Sequence, residues 1–353
     1  MRVLLVHAYS AANAGDGLLV SESLGLVREA LGKDARIAVA ALHPETFAAL
    51  ADHVVDLSPR RREGLRGLWR LRHWMREADL ILGVGGGYLR AGTPAEGAKA
   101  LLAHGPQLLG SLLSRTPHLY LPQSVGPFRG VSGRILRFLA RRARALHLRD
   151  DRSMHELAPS AGTARTPDLA LMAPGAAPQD LDAAVHARPV LTVRAVRGSV
   201  PPGVMELDAL LPPHDSYVQS RGGGNDDLRA TQSLDCRSIL DRDQYLDPSR
   251  PRVVVAVRLH AALMALNAGH WVIHLAYERK GFGAFQDLGL ERYVHNVNDF
   301  DPGEVAEQVR LLTEDPGARQ GYARSVAAAR LRAAREREQL VEEIRQTAEV
   351  LPA

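Results

Sequence analysis

The chain has 353 residues, 46% of them hydrophobic and 24% charged, and its 44 Lys and Arg against 40 Asp and Glu leave a formal charge of +4. That length suits two domains, each large enough to bury its own core, and the composition excludes collagen, coiled coil and wholly disordered chains. The one cysteine, Cys236, rules out an internal disulfide framework, no Cys/His group has zinc spacing, and no run reaches the ~18 apolar residues of a membrane span.

Short β-branched or leucine-rich runs alternate with helical patterns through the first half, which predicts an α/β domain with a parallel sheet. Strands are expected at Arg2–Ala8, Ala35–Ala40, Val54–Leu57, Leu80–Val84, His118–Pro122 and Ala145–Leu148. Helices fit between them at Gly17–Leu31, Arg61–Glu77, Pro94–Ser114, Ser132–Arg144 and Arg152–Leu157. Thr93 before Pro94 is a hydroxyl N-cap ahead of a proline at the first helical position. The apolar run within Met1–Tyr9 is too short for a signal peptide and leads into a glycine loop, so it is expected to be the first strand of an intracellular protein.

Around Ala173–Arg188 the chain turns rich in Ala, Pro and Gly, as an interdomain linker would be. A second α/β pattern follows, with strands at Pro189–Val193, Ser216–Gln219, Arg252–Val257 and Trp271–Leu275 and a helix at Ala261–Ala268. Residues 201–250 lack clear periodicity, and the stretch between Arg194 and Gln219 reads as proline-broken. The expected organisation is therefore residues 1–175, residues 186–316, and a helical segment over residues 317–353 that packs back on the body.

Chemistry is concentrated at strand ends. Asn13–Gly17 follows the first strand and Gly83–Gly87 the fourth, both at the carboxyl edge where open α/β sheets bind ligands. Small residues there admit a ligand, and helix N-termini offer unpaired N–H groups to an anion. Alone, Asn13–Gly17 is equally consistent with a tight turn with Asp16 as its N-cap, and the second glycine loop at the same edge favours a ligand crevice. No Walker-type G-K-[ST] loop occurs, so ATP hydrolysis is unsupported. In Arg252–Ala261 an apolar strand runs straight into Arg258 and His260, whose spacing of two puts both on one strand face. Arginine is almost never buried without a partner. Together with Arg149 and Arg194 at other strand ends, Arg258 supplies the planar forks that recognise carboxylate or phosphate, although each alone could form an internal salt bridge.

These residues resemble the polysaccharide pyruvyltransferases. The likeness runs nearly end to end: N-x-G-D at Asn13–Asp16, G-G-G at Gly85–Gly87, Q-S-x-G-P at Gln123–Pro127, R-D-x-x-S at Arg149–Ser153 and P-D at Pro167–Asp168. In the second half it includes Q-S-x-G-G-x-N-D-D at Gln219–Asp227, R-L-H-A at Arg258–Ala261 and Y-x-x-K at Tyr277–Lys280. The resemblance implies two Rossmann-like α/β domains facing across a cleft, as in GT-B glycosyltransferases. It implies transfer of pyruvate from phosphoenolpyruvate to two hydroxyls of a sugar, free or lipid-linked, as a cyclic ketal, with no cofactor and no metal. Arg149, Arg194, Arg258, Leu259, Gly86 and Gly87 would then bind the donor, and Asn13, Gln123, Ser124, Gln219 and Lys280 the acceptor. His260 would act as general acid, since imidazole ionises near neutrality, with Arg258 and Asp16 beside it in the catalytic set.

Two other functions fit the same pattern. A glycosyltransferase of this fold class would use a nucleotide sugar and an acidic ribose-binding residue, for which Asp226 or Asp227 could serve. A non-catalytic scaffold of a polysaccharide-synthesis complex is the other. Arg60–Arg76 and Arg129–Arg149 are arginine-rich, but with aromatic residues at 5% and no stacking module, nucleic-acid binding is not expected. The expected helix over Ser132–Leu146 puts Ile135, Leu136, Leu139, Ala140, Ala143 and Leu146 on one stripe and Arg134, Arg137, Arg141 and Arg144 on or beside the other. Its basic face could bring a cytoplasmic enzyme to an anionic membrane surface.

Overall fold

The computed structural model describes residues 1–58, 64–158, 162–221 and 226–349. Contacts divide the chain into two units. One holds Met1–Ala12, Asp16–Leu169 and the chain from Arg335 on, and the other Asn13–Gly15 and Ala170–Ala334.

In the first unit the chain runs β1 (Arg2–Ala8), α1 (Ala14–Leu31), β2 (Arg36–Ala41), β3 (His53–Asp56), α2 (Gly64–Glu77), β4 (Leu80–Gly83) and β5 (Leu89–Ala91). It continues through α3 (Pro94–Leu113), β6 (His118–Gln123), β7 (Val125–Phe128), α4 (Gly130–Ala140), β8 (Ala145–Leu148), α5 (Asp151–Leu157) and β9 (Thr163–Arg165). Seven strands form one sheet in the order β3-β2-β1-β4-β6-β8-β9, and every pairing is parallel. Both faces are covered, so the strands read as continuous apolar runs and not as an alternation. Strand order reverses between β1 and β4, which is the switch point where such sheets open a crevice.

The register Val6↔Gly83↔Tyr120 shows how one face is filled. The Tyr120 ring lies across Gly83, and a Cβ there would sit 2.3 Å from it. On this face Leu71 and Met75 of α2 pack with Leu4, Val6 and Ile81. Ala100 and Leu108 of α3 and Leu136 and Ala140 of α4 pack with Tyr120 and Leu146.

The second unit contains β10 (Val190–Thr192), α6 (Pro202–Leu210), β11 (Ser216–Tyr217), α7 (Leu228–Thr231), β12 (Ile239–Leu240), α8 (Arg242–Tyr245) and β13 (Val253–Ala256). It goes on with α9 (Leu259–Asn267), β14 (Trp271–Ala276), α10 (Arg279–Leu288), β15 (Val294–Asn296), α11 (Pro302–Glu314) and the start of α12 (Pro316–Glu349). Its main sheet is β10-β13-β14-β15, again all parallel. Helix α9 is buried from Leu259 to Leu266, which fits its lack of any charged residue after Arg258.

Several expectations change. The basic helix ends at Ala140, where Arg141 caps it, and Leu146 is a buried strand residue whose N–H bonds the Gly162 carbonyl at 2.8 Å. The stretch after Arg194 is not broken by its prolines: Pro202 occupies the first turn of α6, where a missing N–H costs nothing. The Ala/Pro/Gly-rich segment is anchored to the second unit. Ala177 N–H bonds the Asn267 carbonyl at 2.7 Å, and the Gln179 amide reaches the Leu266 carbonyl at 3.1 Å. The chain from Arg335 on groups with the first unit. Arg337 of α12 pairs with Glu22 and Glu29 of α1, and Glu343 with His147.

Candidate functional site

Arg194, Arg258 and Lys280 stand just past the carboxyl ends of β10, β13 and β14, three neighbouring strands of the second unit. Arg258 is also the N-cap of α9, and Lys280 sits in the first turn of α10. Arg258 grips Asp227 with two nitrogens, Nη2 donating to Oδ1 at 2.6 Å and Nε to Oδ2. Both side chains are nearly buried. Burial pushes the Asp227 carboxyl above its ordinary range, and Arg258 and Arg194 work against that shift. The Arg194 guanidinium lies over the Tyr277 ring, 4.5 Å from its centre, and donates to the Tyr277 hydroxyl at 2.7 Å. Lys280 pairs with Glu278 at 2.9 Å. Gly281 lets α10 ride close on β14, since a Cβ there would meet His274 at 2.3 Å.

Residues 13–15 belong to this unit. Asn13 bridges Ser220 in antiparallel fashion, its side-chain oxygen accepts from the Gln219 amide at 3.4 Å, and Ala14 N–H bonds the Gln219 carbonyl. Ser220 in turn accepts from Asp227 N–H at 3.0 Å. Gly15 presses on His260: a Cβ would come within 2.4 Å of Nδ1 and 2.9 Å of the His260 Cβ. The Asn13 loop, Gln219, Asp227, Arg258 and His260 therefore form one connected cluster. Residues 222–225 of the Gln219–Asp227 motif lie outside the described residues.

The first unit has its own edge site. Arg149 donates to the Ser124 hydroxyl at 2.9 Å and to Asp168. Ser124 donates to Asp150 at 2.6 Å, while Asp150 caps α5 at Ser153 N–H and the Ser153 hydroxyl accepts from Val125 N–H at 2.9 Å. The Q-S-x-G-P and R-D-x-x-S motifs thus interlock in one hydrogen-bonded network. Gly85 is required by packing, because a Cβ would stand 2.6 Å from the Pro122 carbonyl oxygen. At Gly87 the nearest atom is Arg149 Nη2 at an ordinary 3.6 Å. Beside this loop His7, the penultimate residue of β1, has φ 75, a conformation non-glycine residues rarely adopt. Its N–H bonds Gln107 at 2.7 Å, and its ring stacks on Tyr88 and meets His104 Nδ1 at 3.3 Å. Burial holds His7 well below the ordinary histidine range, helped by His104, and brings His104 down to about 4.

Set against the expectations from sequence, the structure clusters Asn13, Gln219, Arg258 and His260, with Arg194 and Lys280 on adjoining strand ends. Arg149, Gln123, Ser124, Gly86 and Gly87 gather in the first unit, where Gln123 is buried with no hydrogen-bond partner for its amide among the described residues. Leu259 is a core residue of α9, and Asp16 lies in the first turn of α1. The partners Asp168, Asp227, Tyr277 and Gly15 were present in the motifs but had no assigned contact. His7 carried no sequence signal beyond being a polar residue in a buried strand. Among the described residues, no three His, Cys, Asp or Glu side chains are grouped to hold a metal ion.

Solved structures similar to this chain include a trehalose-6-phosphate structure from E. coli bound with UDP-2-fluoro glucose, at 13% identity and TM-score 0.57, covering all of both chains. An α-glucosyltransferase in complex with UDP and DNA matches at 10% identity and TM-score 0.55, over 97% of this chain and 99% of that one. A putative UDP-N-acetylglucosamine 2-epimerase from Listeria monocytogenes matches at 12% identity and TM-score 0.51, over 93% of each chain. The fold is GT-B. No protein-family model and no curated protein matches the chain.

The resemblance to pyruvyltransferases is thereby overturned. These three structures are named for UDP or a UDP-sugar and none of the three for phosphoenolpyruvate, which falls as the donor, as does cyclic ketal formation. The physical reason lies in the motifs. Short Gly, Asp and Arg signatures at strand ends serve many chemistries on one fold, so their order alone does not fix the donor.

Proposed function

We propose that the protein is a glycosyltransferase that takes a nucleoside-diphosphate sugar as donor and binds the diphosphate on its second unit. The observation that carries this reading is the set of Arg194, Arg258 and Lys280 on three adjacent strand ends, with the N-termini of α9 and α10 at the same edge. Oriented N–H groups and cationic forks there suit a diphosphate. The GT-B fold agrees with it.

In the reaction, the bond from the sugar's anomeric carbon to the diphosphate oxygen breaks, and its electron pair stays on the diphosphate. An acceptor hydroxyl, taken to be that of a sugar, forms the new bond and gives up its proton. Arg258 stabilises the charge on the leaving diphosphate from a position already fixed by Asp227, so no reorganisation is needed as the charge develops. His260, held against Gly15 beside Arg258, is the group at this edge able to carry a proton.

Nucleoside-diphosphate release from a panel of UDP-, GDP-, ADP- and dTDP-sugars tests the reading, together with calorimetric titration of the free nucleotides. At least one nucleotide should bind and one donor should turn over. If no nucleotide binds and none is released, the assignment fails.

A further inference from the structure

We propose that the outer face of α2, α3 and α4 docks the protein on an anionic lipid bilayer. The three helices lie side by side on one face of the first unit's sheet, and what they turn outward is not a normal solvated surface. Of the fifteen large apolar side chains exposed among the described residues, eight are on these helices. Leu102 is 82% exposed, Leu113 76%, Trp69 72% and Val131 70%, with Phe138 and Leu109 also exposed. Exposed large apolar side chains gathered on neighbouring helices to this extent mark an interaction site.

Charge decides the partner. Residues 64–77, 94–115 and 129–144 contain twelve Lys and Arg and only two Glu. The remainder of the chain is therefore net acidic, although the whole is basic. Arg72, Arg134 and Arg142 are exposed, and Arg142 lies 3.8 Å above the Phe138 ring. Between α2 and α3 a groove of about 970 Å³ runs past Leu68, Leu109 and Leu113 with Arg72, Arg76 and Arg115 on it. Exposed aromatic and leucine side chains ringed by arginine match what interfacial helices present to lipid: apolar groups reach the acyl boundary and cations meet the headgroups. Among the described residues no helix is long and apolar enough to cross a membrane, so the contact is one of lying on the surface.

Co-sedimentation of the full chain with phosphatidylcholine vesicles, with and without phosphatidylglycerol, tests this at low and high salt. Binding should require phosphatidylglycerol and fall as salt rises. Arg72→Gln, Arg134→Gln and Arg142→Gln together should weaken it about a hundredfold, at about fivefold per arginine, and Trp69→Ser with Phe138→Ser should also weaken it. Arg310→Gln, on α11 of the other unit, should change nothing. Should a variant fail to fold, the salt titration of the unaltered chain decides alone. Recovery in the supernatant with and without anionic lipid overturns the proposal, as does binding indifferent to salt. A concentration-dependent dimer abolished by the Trp69 and Phe138 changes, without vesicle binding, would assign the face to a second copy instead.

Discussion

Replacing Asp227 by leucine and Arg258 by methionine, singly and together, separates what the pair does for the fold from what Arg258 does for a ligand. The two side chains are 2% and 8% exposed, so removing one takes a bidentate partner of opposite charge from the other, at a cost of about 3–5 kcal/mol. Removing both replaces an ion pair by apolar groups of similar volume, which is commonly neutral or stabilising. Urea denaturation should therefore show two destabilised single variants and a double variant close to the parent. Ligand binding should not recover in the same way. A charge-assisted hydrogen bond is worth about 1.5–3 kcal/mol, so UDP or the preferred nucleotide should bind about 10- to 150-fold more weakly to the double variant. Calorimetric titration reads this directly. If the double variant regains both stability and nucleotide affinity, Arg258 serves only the fold, and the diphosphate assignment at this edge is wrong.

Gly15→Ala should cut turnover sharply, because its Cβ meets the root of the His260 side chain as well as the ring and a rotamer change alone cannot clear it. Alanine favours the helix by up to about 1 kcal/mol, so thermal stability and nucleotide release measured side by side tell displacement of His260 from unfolding, and unchanged release would refute the contact. Gly85→Ala should destabilise by about 1–3 kcal/mol, because the opposing Pro122 carbonyl is backbone. An unchanged melting temperature would mean the loop yields freely. Burial brings His104, His270 and His274 down to about 4. In the unfolded chain they accept protons near pH 6.5, so the stability they contribute is complete above that value and is lost as pH falls toward 4. Each is worth up to about 3 kcal/mol; urea midpoints that stay flat across this window, or a His104→Gln variant with an undiminished slope, would contradict their burial as neutral groups.

The first half was legible because its strands are uninterrupted apolar runs and its helices carry their own signals, such as Thr93 accepting from Glu96 N–H at 3.2 Å. The second half was harder. The pattern at Pro201 and Pro202 looked like a break because proline ends a helix as readily as it begins one, and only the packing of α6 against α11 decides between them. Helix α10 was hidden by its glycines, one of which is there for contact with His274. At the site, the strand-end arginines were visible but their partners were not. Asp168 lies 19 residues from Arg149 and Asp227 lies 31 from Arg258, separations that carry no local signal.

The ion pairs that tie α12 to α1 have a consequence for folding during synthesis. Arg337 lies 308 residues from Glu29 and 315 from Glu22, and Leu340, Ile344 and Ala348 are buried. The first unit therefore leaves the ribosome with one face uncovered and stays so while the whole of the second is made. Pairing over such separations is slow, and the exposed interval favours aggregation or chaperone capture. A fragment stopping at the Leu169/Ala170 junction would carry that uncovered face permanently, and supplying residues 316–349 as a separate peptide should restore its solubility.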